Sequence, residues 1–228
     1  MNLETPYPRA RSVLLDFDSV ICARESMDIL FEYLLEGSPE EARRAILDEV
    51  TRITVAGMNG EIPFSEALRR RLAALPGKPV NFSEIAVSVR ACLADTFLRH
   101  APDWNWENIH IVSSGFRQII QPALSRINVP LDHIHCNDLT VSADGVITGV
   151  DPSNPLAGDD GKTRIVRSLQ LPREIVMVGD GYTDLQVAQS GEADYFFACV
   201  EFVRREPVIE QAAELIEDFA HLTKLLRL

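Results

Sequence analysis

The chain has 228 residues, enough for one large or two modest domains, and its hydrophobic share of 46% is that of a folded globular protein. With 34 acidic against 22 basic residues the formal charge is −12, which speaks against a nucleic-acid binder, because a phosphate backbone is held by clustered Lys and Arg. No basic stretch followed by an apolar core opens the chain, no segment reaches the roughly 18 apolar residues of a membrane span, and Cys22, Cys92, Cys136 and Cys199 lack metal-site spacing, so a cytoplasmic protein with reduced, structural thiols is expected.

In chain order, the first element is an apolar strand, Val13-Leu14-Leu15, that runs into Asp16-Phe17-Asp18 and then turns. Strand residues alternate faces, so the two aspartates project together at the carboxyl end of a buried strand, where open α/β sheets place their chemistry. Two like charges this close cost free energy unless a cation or a shared proton offsets them, which marks the pair as a candidate nucleophile and metal site; solvated turn aspartates are the plainer alternative. From about Glu25 to Leu98 the pattern is helical, with Met27, Leu30, Phe31 and Leu34, and later Leu68, Leu72 and Leu75, at helical spacing. Pro63-Phe64-Ser65 starts one helix, and the Leu75-Pro76-Gly77-Lys78-Pro79 break precedes another from Asn81 or Phe82. Residues 21–98 therefore read as a helical cap inserted into a core made of residues 1–20 and 99–228.

Beyond Asn108 strands and helices alternate: a strand into Ser113, a helix from Phe116 to about Ile127, a strand near His133 to Cys136, and a hairpin turning at Ala143-Asp144-Gly145. A helix after Lys162, the strand Ile175 to Asp180, a helix from Asp184 and a strand near Tyr195 to Val200 follow, with Glu210 to Asp218 as the wet face of a terminal helix. This alternation predicts a Rossmann-like, doubly wound, mainly parallel α/β sheet. The Arg99 to Asn108 segment, with Trp104 and Trp106, reads as a local insertion or a partner surface.

Three more stretches carry chemistry. Ser113 ends a strand, and its hydroxyl and the backbone N–H groups of the next helix suit a phosphoryl group; a serine that only caps a helix is the alternative. Lys162, after Gly158-Asp159-Asp160-Gly161, opens a helix, where a cation is mildly unfavourable unless an anion meets it. Asp180 and Asp184 bracket a strand-to-helix turn, as metal-site carboxylates or as a turn residue and a helix cap.

With Asp16, Ser113, Lys162 and Asp180 in this order, the sequence resembles the haloacid dehalogenase superfamily of phosphotransferases over nearly its whole length. The resemblance implies Asp16 as the nucleophile that forms an aspartyl-phosphate and Asp18 as general acid and base. It also implies Mg2+ held by the Asp16 side chain, the Asp18 carbonyl and Asp180, with Asp184 behind them. Within the superfamily the chain is similar to phosphoserine phosphatases. That similarity rests on Glu25, seven residues after Asp18, and on Met58, Gly60, Phe64 and Arg71. In that family the glutamate meets the substrate ammonium and the arginine its carboxylate; among Arg69, Arg70 and Arg71 the choice stays open here. Ser114 stands in place of a usual glycine and Thr183 where Asn or Thr is found, both at substrate-binding positions. The implied partner is a small phosphomonoester, L-phosphoserine first, acting on a monomer or homodimer whose cap gates the site. Transfer to another alcohol such as homoserine, a receiver-like phosphate-binding module and an inactive relative are the rival readings.

Overall fold

The computed structural model describes residues 10–58 and 61–228. β1 (Ser12–Leu15) and β6 (Ile175–Gly179) are buried at every position, the mark of strands covered on both faces. They sit side by side in a six-stranded sheet of order β3-β2-β1-β6-β7-β8, with β2 Ile109–Phe116, β3 Ile134–Asn137, β7 Tyr195–Cys199 and β8 Glu214–Ile216. Every neighbouring pair is parallel. From β1 the chain winds outward to β2 and β3, then returns to β6 on the other side. The strand order therefore reverses between β1 and β6, and loops from both halves diverge at their carboxyl ends.

Alternation along β1 divides the core. Val13 and Leu15 join a large cluster with Ile111, Val176, Val178 and Phe197, whereas Leu14 joins Val112, Ile175, Met177 and Phe196 on the opposite face. The first face is covered by Leu30 and Phe31 of α1 (Ser26–Leu34), Ile85 and Val89 of α4 (Phe82–Arg90), Ile119 and Ile120 of α6 (Arg117–Ala123), and Phe219 and Leu222 of α10 (Phe219–Leu226). The second is covered by Val166 of α7 (Gly161–Leu169) and Leu185 and Val187 of α8 (Tyr182–Gln189). Between β1 and β2 the chain is helical, adding α2 (Glu40–Met58), α3 (Phe64–Ala73) and α5 (Asp95–His100). A hairpin, β4 (Leu139–Val141) with β5 (Ile147–Val150), follows β3.

Three expectations are corrected. Ile216 is buried and β8 pairs with β7, so Glu210 to Asp218 is an edge strand and its approach instead of a helix face; α10 starts only after Asp218, which caps it by accepting from the His221 N–H at 2.6 Å. The Trp104 and Trp106 segment is not a partner surface. Both indoles are buried, Trp104 packed against Phe97, Phe219 and Trp106, and their N–H groups donate to Thr223 Oγ1 and the Ala101 carbonyl. β2 runs on to Phe116 past a register shift, and Pro122 lies in the last turn of α6, so that helix is shorter than its apolar pattern suggested.

Candidate active site

Asp16 follows β1 directly, its N–H donating to the Val178 carbonyl and so extending the β1–β6 ladder by one residue. One carboxylate oxygen, Oδ1, accepts from the Phe17 N–H at 2.7 Å and from Lys162 Nζ at 2.8 Å. Lys162 reaches this point from the first turn of α7. That turn can press against the chain before it because residue 161 is glycine: a Cβ there would stand 2.6 Å from the Leu156 Cα. The same ammonium donates to Asp184 Oδ1 at 2.6 Å. Asp184 itself fits beneath β6 only because Gly179 has no side chain, since a Cβ would lie 2.2 Å from its carboxyl carbon.

Oxygens of Asp16, Asp180 and Asp184, all buried, lie within 4.8 Å of one another. Burial and the neighbouring Asp16 push Asp184 up to about 7, against the pull of Lys162. Burial alone would lower Lys162, but Asp16 and Asp184 more than offset it and hold the ammonium charged. The set is oxygen-only and acidic, which suits a small hard divalent cation such as Mg2+. Arg205, just before α9 (Glu206–Ile209), makes an ion pair with the Asp180 carboxylate. The sequence reading missed this residue; its only local signal is a pair of arginines after the carboxyl end of β7.

Asp18 is turned toward the start of α1. Its Oδ1 accepts from the Ser26 N–H at 2.8 Å and its Oδ2 from the Ser26 hydroxyl at 3.0 Å. Burial, then Glu25 and Asp16, raise its pKa well above the carboxylate range, with the Ser26 bonds opposing. Ser26 also escaped the sequence reading, although it follows Glu25 directly. Between the two acids Ser19 takes a left-handed conformation, φ 58°, uncommon for a residue with a side chain, and its hydroxyl donates to Glu25 Oε1 at 2.9 Å. Glu25 is raised chiefly by burial.

Ser113 is fully buried at the register shift of β2, where its hydroxyl oxygen accepts from the Gly115 N–H at 2.9 Å. Ser114 is half-buried, and its carbonyl accepts from the buried Asn137 amide at 2.9 Å. The second hydrogen bond of that amide goes to the Leu156 carbonyl at 3.1 Å, which ties the Ser113 turn to the segment before Lys162.

The three consecutive arginines of α3 separate cleanly. Arg69 is exposed, and Arg70 pairs with Glu49 and Glu66. Arg71 turns inward: burial lowers its pKa, opposed by Glu25, Asp28 and Asp18, and its Nε is buried without a hydrogen-bond partner. Its Nη1 donates to Thr54 at a long 3.4 Å. Phe64, the first residue of α3, is half-buried against the main core, and Thr183 is half-buried in the first turn of α8. The Met58 side chain, with Asn59 and Gly60, falls outside the described residues. The thiols are not part of this chemistry: Cys22 and Cys199 are pushed up to about 12, first of all by burial.

A parallel sheet with a switch point at β1 and β6, an Asp-x-Asp exit, a buried lysine and an acidic pair define a class, and the chain belongs to the haloacid dehalogenase-like hydrolases, whose family profile matches residues 13–189. Its relatives are narrower in character. It is 29% identical to the chloroplastic phosphoserine phosphatase of Arabidopsis thaliana over 94% of this chain and 71% of that one. To the phosphoserine phosphatase of Homo sapiens it is 27% identical over 93% and 92%. Among solved structures, a phosphoserine phosphohydrolase-like protein from Francisella tularensis superposes with a TM-score of 0.81 at 29% identity, covering 95% of this chain and 99% of the other. A substrate-bound phosphoserine phosphatase, 20% identical, shares the fold with a TM-score of 0.72 over 95% and 98%. Among the described residues no helix is long and apolar enough to cross a membrane.

Proposed function

We propose that the chain is a Mg2+-dependent phosphoserine phosphatase acting through an aspartyl-phosphate on Asp16, with α2 and α3 of the helical insertion as its lid. The observation that carries the substrate is Arg71, a half-buried guanidinium whose Nε donor is buried and unused. An amino-acid phosphate offers three charged groups: a phosphoryl dianion, a carboxylate and an ammonium. Lys162 with the metal site, Arg71, and Glu25 complement them in turn, a guanidinium being the group best shaped for a carboxylate. Asp16, Asp180 and the Asp18 carbonyl would hold Mg2+, with Asp184 beside them, and the bound cation would screen the phosphoryl charge from the attacking carboxylate.

An oxygen of Asp16 attacks phosphorus, and the bond to the serine oxygen breaks. Asp18, whose pKa is raised first of all by burial, gives that oxygen its proton. Asp18 then takes a proton from water, whose oxygen attacks phosphorus; the acyl-phosphate bond breaks, releasing phosphate and restoring Asp16. Ser113 and Lys162 hold phosphoryl oxygens through both steps. Lys162, bonded to Asp16 Oδ1, leaves Oδ2 as the attacking oxygen.

The test is phosphate release with Mg2+ from L-phosphoserine, D-phosphoserine, phosphothreonine, phosphoethanolamine and a sugar phosphate, beside Asp16→Asn. Turnover selective for L-phosphoserine and at least about a thousandfold lower in the variant is expected, since the nucleophile is lost. Turnover of other esters with phosphoserine ignored would retain the chemistry and overturn the substrate.

A further inference from the structure

We propose that Asp159 latches the specificity helix α3 in place over the site, as a positioning residue for Arg71 and Phe64. The inference rests on the phosphoserine reading for its substrate, but its geometry stands apart from it. The first N–H groups of a helix need acceptors. α3 has none of its own, because its cap position is Pro63, whose side chain carries no oxygen, and no side-chain cap is formed locally. The acceptor comes from 94 residues away: Asp159 Oδ1 takes the Ser65 N–H at 2.8 Å. Its charge also suits the positive end of the helix dipole.

Asp159 belongs to the turn that ends in Lys162, three residues on, so the helix carrying Arg71 is tied to the segment that presents the phosphate-binding lysine. After α3 the chain is held a second time on the core side, where the Val80 N–H donates to the Gly145 carbonyl at 3.0 Å and Pro79 bridges Val146. Pinned at both ends, α3 keeps Arg71 beside Glu25 and Asp28. Asp159 is exposed to solvent, so the bond is one that can open and re-form as substrate enters and product leaves. Neither contact is legible in the local sequence, because β2 and β3 lie between donor and acceptor in the chain.

The experiment compares the full-length protein with Asp159→Ala and Asp159→Asn on two substrates: L-phosphoserine, and p-nitrophenyl phosphate, which has neither ammonium nor carboxylate. Loss of one helix cap sets the scale at about fivefold. Asp159→Ala should raise KM for phosphoserine by about that factor, leave kcat/KM for p-nitrophenyl phosphate within about twofold, and speed hydrogen exchange at the Ser65 and Glu66 amides about fivefold. Asp159→Asn, which keeps an acceptor oxygen, should restore most of each. Equal losses on both substrates would show that Asp159 acts on the Lys162 turn and not on α3, and unchanged exchange would show that the bond holds nothing; either overturns the latch. A wild-type protein that hydrolyses p-nitrophenyl phosphate but not phosphoserine would overturn the substrate reading, and the exchange measurement would then decide the latch alone.

Discussion

The carboxylate cluster around Lys162 is built from buried ions and the charged group around Arg71 from half-buried and exposed ones, and the two are held in opposite ways. Lys162 lies at the ends of two central strands and is bonded at 2.8 and 2.6 Å to Asp16 and Asp184, in a fold that gives these side chains no other place to go. Arg71 sits on a helix of the insertion, keeps one donor unused, and depends on a helix whose first turn is capped from another part of the chain. The sheet ends fix the groups that must not move during phosphoryl transfer. On the function proposed above, the helical insertion carries the groups that let one ligand in and keep others out. Shared chemistry with variable specificity follows from this division, because α3 can be altered without disturbing the strands.

The comparison is broken most severely at Lys162. Lys162→Met leaves Asp16 and Asp184 facing each other without their shared cation, and we expect kcat for any ester to fall by about a hundredfold or more. Removing one member of a buried ion pair also costs about 3 kcal/mol or more, so Tm should drop by roughly 6 °C or more in thermal melts. Arg71→Ala should be the mirror image. KM for L-phosphoserine should rise by about ten- to a hundredfold through the lost charged hydrogen bonds, with p-nitrophenyl phosphate turnover unchanged. Relieving a half-buried guanidinium whose Nε has no partner should leave Tm equal or slightly higher. A loss on both substrates would dissolve the distinction between the two regions.

The smallest effect sharpens the comparison by locating acid sensitivity outside both sites. His110 and His135, 3.2 Å apart where β2 and β3 run side by side, are both pushed down to about 4, mainly by burial. The unfolded chain binds these protons near 6.5, so the folded state binds fewer. Their contribution is therefore full above pH 6.5 and is lost progressively as pH falls toward 4. Melts of the metal-free protein should lose several degrees over that window, and His135→Gln should flatten the decline.

Much of this was legible in the sequence. A buried strand ending in Asp-x-Asp and an alternation of strands and helices are local patterns, and they led to the sheet and to Asp16, Asp18, Asp180 and Lys162. The choice among the three arginines of α3 stayed open in the sequence, and the folded helix separates them: Arg69 is exposed, Arg70 pairs with Glu49 and Glu66, and Arg71 turns inward. What escaped was set by contacts between distant segments. Arg205 meets Asp180 from beyond β7, Asp159 caps α3 from across the chain, and β8 is a three-residue strand whose pairing decides its form where its acidic composition does not. The tryptophan segment misled for the same reason: two large aromatics in a Pro- and Asn-containing stretch look exposed until the carboxyl-terminal helix, more than a hundred residues later, covers them.

That covering has an optical consequence. The chain has 2 tryptophans, and both stand in one aromatic group with Phe97 and Phe219, one of them hydrogen-bonded to Thr223 of α10. Its intrinsic emission is thus a gauge of whether the last helix has docked onto α5. A dye placed on α3, and not the natural fluorophores, is what would follow ligand entry.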